Sequence, residues 1–401
     1  RIYKARSELF SRFSWWQQCV FLWLCAILMM TIVGQIGIHV AIRFDDYEGL
    51  VRPTIELSHQ EFPGMWIQWD SGWYLAIVRE GYAARPDSQG FFPVYPLLIS
   101  AVVKVTGLSP AWSAIIIAQM SYLGAILSLY KLARIIRDEH TFAIRTVLFL
   151  ICFPTSFFFI AAYAESVLLF LSIMSAYLLL RPARNLWISA VAAGIAAASR
   201  PTGWILGVMY LVEFIKMREF TVKSVLRLFT AGLITISGIV AFSFYLYLIS
   251  GSATSLADVQ GSEWKLTWQF PLLTIIDSIE IIFDNTYRDN WFLYVLNIFD
   301  LAFGVFVIVM TTIGVRLSLQ GRFPWSLTAF LFVSIIFLFS RLGFQVPLDE
   351  MARWAAILFP IYPILALLTQ NRVNLTRLSL SVSGLLLLGL SAWWATGRWV
   401  G

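Results

Sequence analysis

Long unbroken apolar runs set the pattern of this chain. Residues 19–32 and 226–249 are examples. The period-two alternation of a membrane barrel is absent, so the runs predict helices. Taken in order, they predict eleven membrane spans, at about 13–42, 111–136, 143–162, 165–180, 186–198, 201–217, 226–249, 291–315, 325–340, 353–369 and 376–396. Between the first two lies a mixed stretch, 44–110, rich in acids, aromatics, Gly and Pro. Within it, 91–108 (FFPVYPLLISAVVKVTGL) is apolar but carries Pro93, Pro96 and Lys104, and is expected to re-enter the membrane or lie in its outer interface.

Charge sets the direction of threading. An N-terminal segment with Arg1, Lys4, Arg6 and Arg12 is expected inside. Alternate threading then brings Lys131, Arg134, Arg137 and Arg145 to the same side, with Arg181 and Arg184, Lys216, Arg218, Lys223 and Arg227, Arg316 and Arg322, and Arg372 and Arg377. The agreement requires that 91–108 does not cross; otherwise every later basic loop moves outside. The expected organisation is a single transmembrane unit, 1–401. It divides into an N-terminal segment and first span (1–42), a first outer loop (43–110), a bundle (111–250), a second outer loop (251–290) and C-terminal helices (291–401). The outer side also receives 341–350 and two tight turns, 162–165 and 199–203.

Composition narrows the class. The chain is 59% hydrophobic and only 13% charged, about half the charge of a soluble domain. The net charge of +6 is a topology signal, not a nucleic-acid-binding one. Cys19, Cys25 and Cys152 all lie in apolar runs without metal-ligand spacing. The first apolar run is too long for a cleavable signal and has no small-residue cleavage site. His39, His59 and His140 are dispersed, and there is no P-loop, G-x-G-x-x-G, G-x-S-x-G or D-x-D. No metal and no cofactor are expected.

Candidate chemistry gathers on the outer side. In IQWDSGWYLAIVREGY (67–82), Asp70 either N-caps a helix beginning at Ser71 or serves as a general base at the membrane surface, with Trp69, Trp73 and Tyr74 shaping a sugar or lipid entrance. Glu165, between apolar helices, either snorkels or needs a partner. Arg200 and Arg353 read as snorkelling cations or as phosphate clamps, with Asp349 and Glu350 available to neutralise Arg353.

At these residues the sequence resembles the PIG-V-type mannosyltransferases, which add the second mannose of the GPI anchor, and their bacterial relatives, within the GT-C class of membrane glycosyltransferases. The resemblance runs through QWDSGWYLAIVREGY, FFPVYPLL, FPTSFFFIAAYAESVLLFLS, AAASRPTG, SGSATSLADVQGSEWKLTWQFP and MARWAAILFPIYPILALL, in the family's order. It implies an all-α GT-C-type bundle. It also implies transfer of a sugar, with mannose favoured, from a polyprenyl- or dolichyl-phosphate donor to a lipid or glycan acceptor on the extracytoplasmic or lumenal face. The membrane would be the plasma membrane in a bacterium and the endoplasmic reticulum in a eukaryote.

The family's pattern carries over to Asp70 as base, to Tyr163 and Glu165, to Arg200, to Gln260 and Trp264, and to Arg353. Trp354 and Ser252 depart from it, where Phe or Tyr and Asp are usual. The expected reaction is a metal-independent inverting displacement, with Arg200 or Arg353 meeting the leaving phosphate and Glu165 orienting Arg200 or a sugar hydroxyl. A transporter or flippase for a lipid-linked or anionic solute is the alternative; it fits less well because the unusual residues gather on one face.

Overall fold

The first apolar run folds as α1 (Trp15–Val40), 26 residues and ~39 Å long at the α-helical rise. In this computed structural model the described residues are 13–40, 63–218, 220–262, 265–284, 290–343 and 345–400. Two short helices follow, α2 (Asp70–Glu80) and α3 (Val94–Thr106). The 13 residues of α3 reach ~20 Å, less than the roughly 30 Å of a bilayer core. Gly107, at φ +72°, ends it with the left-handed cap that glycine adopts without strain.

Three runs that the sequence predicts as single spans are broken, two of them at a proline within the run. After α4 (Pro110–Ile136) comes α5 (His140–Ile151), which stops short of the predicted 143–162. Pro154 has no N–H to continue the ladder and turns Phe153 away from the α region, and a 3₁₀ turn at Ser156–Phe159 follows. Next are α6 (Glu165–Leu180) and α7 (Leu186–Ala197), close to expectation. The run 201–217 opens instead as a 3₁₀ turn, Pro201–Leu206, before α8 (Gly207–Met217).

The long α9 (Val222–Ser250) leads to α10 (Ser255–Ser262) and then to α11 (Pro271–Phe283), both inside the predicted second outer loop. Beyond α12 (Trp291–Leu319) and α13 (Trp325–Phe339), the predicted 353–369 span is two helices, α14 (Met351–Ile357) and α15 (Ile361–Leu368). They meet at 79° across a break that contains Pro360. The last helix is α16 (Val373–Ala395).

Among the described residues five helices, α1, α4, α9, α12 and α16, are long and apolar enough to cross a membrane, and six if the bent α14–α15 pair counts as one. Helix length alone therefore does not establish eleven crossings. Neighbouring helices pack as α4 on α6, α6 on α7, α7 on α9, and α1 on α16. Where α7 meets α9, a Cβ on Gly238 would lie 2.2 Å from the Gly194 carbonyl oxygen. This close crossing through small residues is the device that lets apolar helices attract by contact when lipid removes the hydrophobic drive between them. One short ladder, β1 (Thr267–Trp268) with β2 (Arg341–Leu342), pairs antiparallel and ties the second outer stretch to the segment before α14.

Candidate active site

Four chain segments meet where α2, α6, the turn after α7 and α14 begin. Each contributes a charge from its first residues. Local hydrogen bonds fix them together: the Ala162 N–H donates to the Trp66 carbonyl (2.9 Å), Val94 N–H to the Ala198 carbonyl (3.2 Å), and the Thr155 hydroxyl to the Ala352 carbonyl (2.8 Å). Gly203 lets the turn after Arg200 fold back onto α7, since a Cβ there would lie 2.3 Å from the Ala196 backbone.

Arg353 is the hub. Its Nη2 donates to Asp70 Oδ2 at 2.5 Å, its Nη1 to Glu350 Oε1 at 3.0 Å, and its Nε to Glu165 Oε1. Arg200 Nη2 lies 2.6 Å from the same Glu165 oxygen and 3.5 Å from Asp70 Oδ2. Arg341 Nη1 reaches Glu350 Oε2 at 3.2 Å, and so does Trp354 Nε1. Three carboxylates thus face three guanidiniums, and their formal charges cancel. Aromatic faces complete the setting. The Arg353 guanidinium is 4.7 Å from the Tyr163 ring centroid, and Trp354 lies 5.2 Å from Arg200 and 5.4 Å from Arg341.

Depth divides the cluster. The side chains of Arg353 and Glu165 are 1% and 2% exposed, those of Arg200 and Asp70 11% and 16%. Both arginine contacts to Asp70 land on Oδ2, and Oδ1 accepts no hydrogen bond from the described residues. Burial pushes the Asp70 carboxyl above its ordinary range, against the pull of Arg353 and Arg200. Glu350 goes the other way: burial raises it, but Arg353, Arg341 and Arg200 outweigh that and hold it low. Asp349 is pushed up to about 6, first by burial and then by its neighbour Glu350.

The sequence reading requires correction at several residues. Asp70 is not the N-cap but the first residue of α2; Trp69 takes the cap position, at φ 51° and ψ −115°, with no side-chain cap. A tryptophan at that φ is strained backbone, next to Asp70. Tyr74 is core packing, buried edge-on against Phe91 and Tyr95, while Trp73 stacks on Phe91 and Trp69 packs against Trp399. Tyr163 is buried, and its hydroxyl accepts the Asp70 N–H at 3.2 Å. Gln260 sits in α10, where its carbonyl accepts from the Leu266 N–H. Trp264 lies outside the described residues. At the departure Ser252, the hydroxyl points to Asp258 at 3.4 Å.

Two participants escaped sequence reasoning. Arg341 is one. The other is Asp300, wholly buried in α12, whose Oδ1 accepts the Ala352 N–H at 2.9 Å and so caps the helix that carries Arg353. Its signal was present: a lone acid in the middle of a long apolar run is costly unless it has work to do.

Residues 17–282 match the profile of the mannosyltransferase (PIG-V) family. That range includes Asp70, Glu165 and Arg200; Glu350 and Arg353 lie beyond it. Among curated protein sequences none matches the chain. Of solved structures, an oligosaccharyltransferase of Archaeoglobus fulgidus, tethered to an acceptor peptide, superposes with a TM-score of 0.51 at 14% identity, over 96% of this chain and 55% of the other. ArnT of Cupriavidus metallidurans, bound to undecaprenyl phosphate, gives 0.47 at 13% identity, over 87% and 60%. The chain thus spans little more than half the length of these structures. The oligosaccharyltransferase likeness is one of fold, and the fold is that of GT-C glycosyltransferases.

Proposed function

The chain belongs to the PIG-V family of mannosyltransferases, and on that premise we propose that this multi-pass membrane protein moves mannose from a polyprenyl-phosphate donor to a hydroxyl of a lipid or glycan acceptor. The observation that carries the reading is the accessible edge of the charge cluster. Asp70, 16% exposed, presents an Oδ1 that accepts no hydrogen bond from the described residues, beside Arg200, whose Nε and Nη2 are buried without a hydrogen-bond acceptor among them. Asp70 Oδ1 takes the proton of the acceptor hydroxyl. The acceptor oxygen forms a bond to the anomeric carbon while the bond from that carbon to the phosphate oxygen breaks, and the electron pair leaves with the lipid phosphate. One displacement inverts the anomeric centre. A raised carboxyl is the better proton acceptor, because its pKa lies nearer working pH.

The departing phosphate needs charge stabilisation and no acid. Arg200 and Arg341 suit that role from the accessible side, in planar forks that match phosphate oxygens. Arg353 and Glu165, deeper by exposure, are positioning residues: Glu165 holds both arginines, and Arg353 holds Asp70. No metal enters the scheme, since guanidinium groups supply the positive charge. The face carrying the cluster is the extracytoplasmic one by the Lys and Arg count.

The test uses purified protein in nanodiscs with labelled polyprenyl-phosphate mannose and a membrane-lipid acceptor extract. Asp70→Asn should keep donor binding and lose roughly 100- to 10,000-fold in transfer. Arg200→Lys should weaken donor binding as well, because a point charge does not reproduce the fork. Transfer at the wild-type rate by Asp70→Asn would remove the base from this scheme.

A further inference from the structure

Helix α6 carries Glu165 at one end and hands over to Arg181 at the other, 16 residues on and ~24 Å away. At that far end a cavity of about 690 Å³ opens between the start of α1, the end of α4 and the α6–α7 turn. Trp15, Tyr130, Lys131, Tyr177, Arg181 and Arg184 line it. Its size is that of a small-molecule site, and it is remote from the acid–arginine cluster.

Its cations are not equivalent. Arg184 is paired with Glu213 at 3.1 Å, and Arg134, at the margin, donates to Asp138 at 2.9 Å. Lys131 and Arg181 have no acidic partner among the described residues. Their neighbours are rings: Lys131 Nζ lies 5.5 Å from the Trp15 centroid and 5.9 Å from that of Tyr177, and the Arg181 guanidinium is 6.0 Å from Tyr177. The Arg181 Nε is buried without a hydrogen-bond acceptor. Two positive groups held over aromatic faces with an unmet donor between helices call for an anion with several oxygens.

The wall behind them is rigid. Trp15 stacks on Tyr130 at 4.9 Å, the Tyr130 hydroxyl bonds to His140 Nδ1 at 2.7 Å, and His140 Nε2 to Gln18 at 3.0 Å. Phe13 and Trp16 are about half exposed, and along α1 Phe21, Leu24 and Leu28 follow at helical spacing, so this helix presents an apolar face to lipid. The cavity lies at the end of the bundle that the basic loops assign to the cytoplasmic leaflet, where anionic headgroups are found.

We propose that this cavity binds the phosphate headgroup of an anionic membrane phospholipid through Lys131 and Arg181.

The experiment is native mass spectrometry of the full chain released from nanodiscs containing phosphatidylcholine and phosphatidylglycerol, with inorganic phosphate as a separate arm. Phosphatidylglycerol should be retained in preference to phosphatidylcholine. Lys131→Gln with Arg181→Gln should weaken that retention roughly 30-fold, the expected effect of removing two cations near a charged leaflet. The charge-keeping swap, Lys131→Arg with Arg181→Lys, should restore it and show that the cavity still folds. Arg316→Gln with Arg322→Gln, exposed on the same predicted side, should leave it unchanged. Undiminished retention in the glutamine variant overturns the assignment, and so does an equal loss in the Arg316 and Arg322 control. Millimolar phosphate that displaces the lipid headgroup completely makes this a soluble-phosphate site and overturns the lipid.

Discussion

Arg353→Met removes one positive charge from a set that sums to zero. Asp70, Glu165 and Glu350 then face Arg200 and Arg341 alone, a net of −1, and Glu165 loses its deepest partner. Taking one member from a buried pair leaves its partner uncompensated and costs about 3–5 kcal/mol. Glu165→Leu makes the opposite error, a net of +1, with a cost of the same order. Both changes together return the set to neutrality and fill the space with apolar atoms, a replacement that is often neutral in stability. Recovery is incomplete, because Arg200 must then settle on Asp70, 3.5 Å away, and Glu350 keeps Arg341 and Trp354 but loses one of its two cations. A coupling energy near the top of the roughly 0.5–3 kcal/mol range of contacting residues is expected. Reversible unfolding of the wild type, both single variants and the double variant in mixed micelles measures it. If the double variant is as unstable as the sum of the singles, within ~0.5 kcal/mol, the two side chains are energetically independent and the hub description is wrong.

Asp300→Ala should release the α14 N-terminus at a cost of about 1–2 kcal/mol, and under the transferase reading should lower kcat with KM little changed, read by steady-state transfer. Asp349 is raised to about 6 from an ordinary value near 4, so the folded protein binds the extra proton. Its stabilising share is complete below pH ~4 and is lost as pH rises through about 6. Asp349→Asn should therefore match wild-type stability at pH 4 and exceed it at pH 7, by up to ~3 kcal/mol, and equal stability at both pH values would contradict this. In a variant free of native cysteines, an impermeant maleimide should label Leu108→Cys from outside intact cells, and Arg322→Cys only after permeabilisation. The reverse result inverts the threading.

Asp70, Glu165, Arg200 and Arg353 were legible because each is a charge or a proline-flanked cation at the edge of an apolar run, where lipid makes polar residues conspicuous. Their meeting follows from the charge-based threading, which brings four chain-distant positions to one end. What the sequence hid was of two kinds. Helix breaks at Pro154, before Gly207 and at Pro360 vanished inside runs whose hydrophobicity stays high on both sides. Hydropathy records solubility in lipid, and conformation is set by backbone groups it does not count. Pairing partners were the second kind: Arg341, in the β2 strand that pairs with β1, reaches Glu350 where Gly343 N–H bonds back to the Pro347 carbonyl, and hydropathy does not encode that turn. The Asp70 cap failed for a related reason. Asp70 suits an N-cap, yet its carboxylate is engaged by guanidiniums from two distant segments.

The cancellation of charge in the acid–arginine cluster has a kinetic side. Opposite charges a few ångströms apart produce a field that fades over little more than their own separation, well inside the ~8 Å screening length of physiological salt. Such a site does not draw an anion from a distance. A lipid-borne phosphate would reach it by two-dimensional diffusion and register only on contact, so its capture rate should hardly respond to ionic strength. Occupancy then depends on competition: a phosphate oxygen must contend with the Glu165 carboxylate, which already lies 2.6 Å from Arg200 Nη2. Anions that lose that competition are turned away after arrival, and selectivity resides in the dissociation rate.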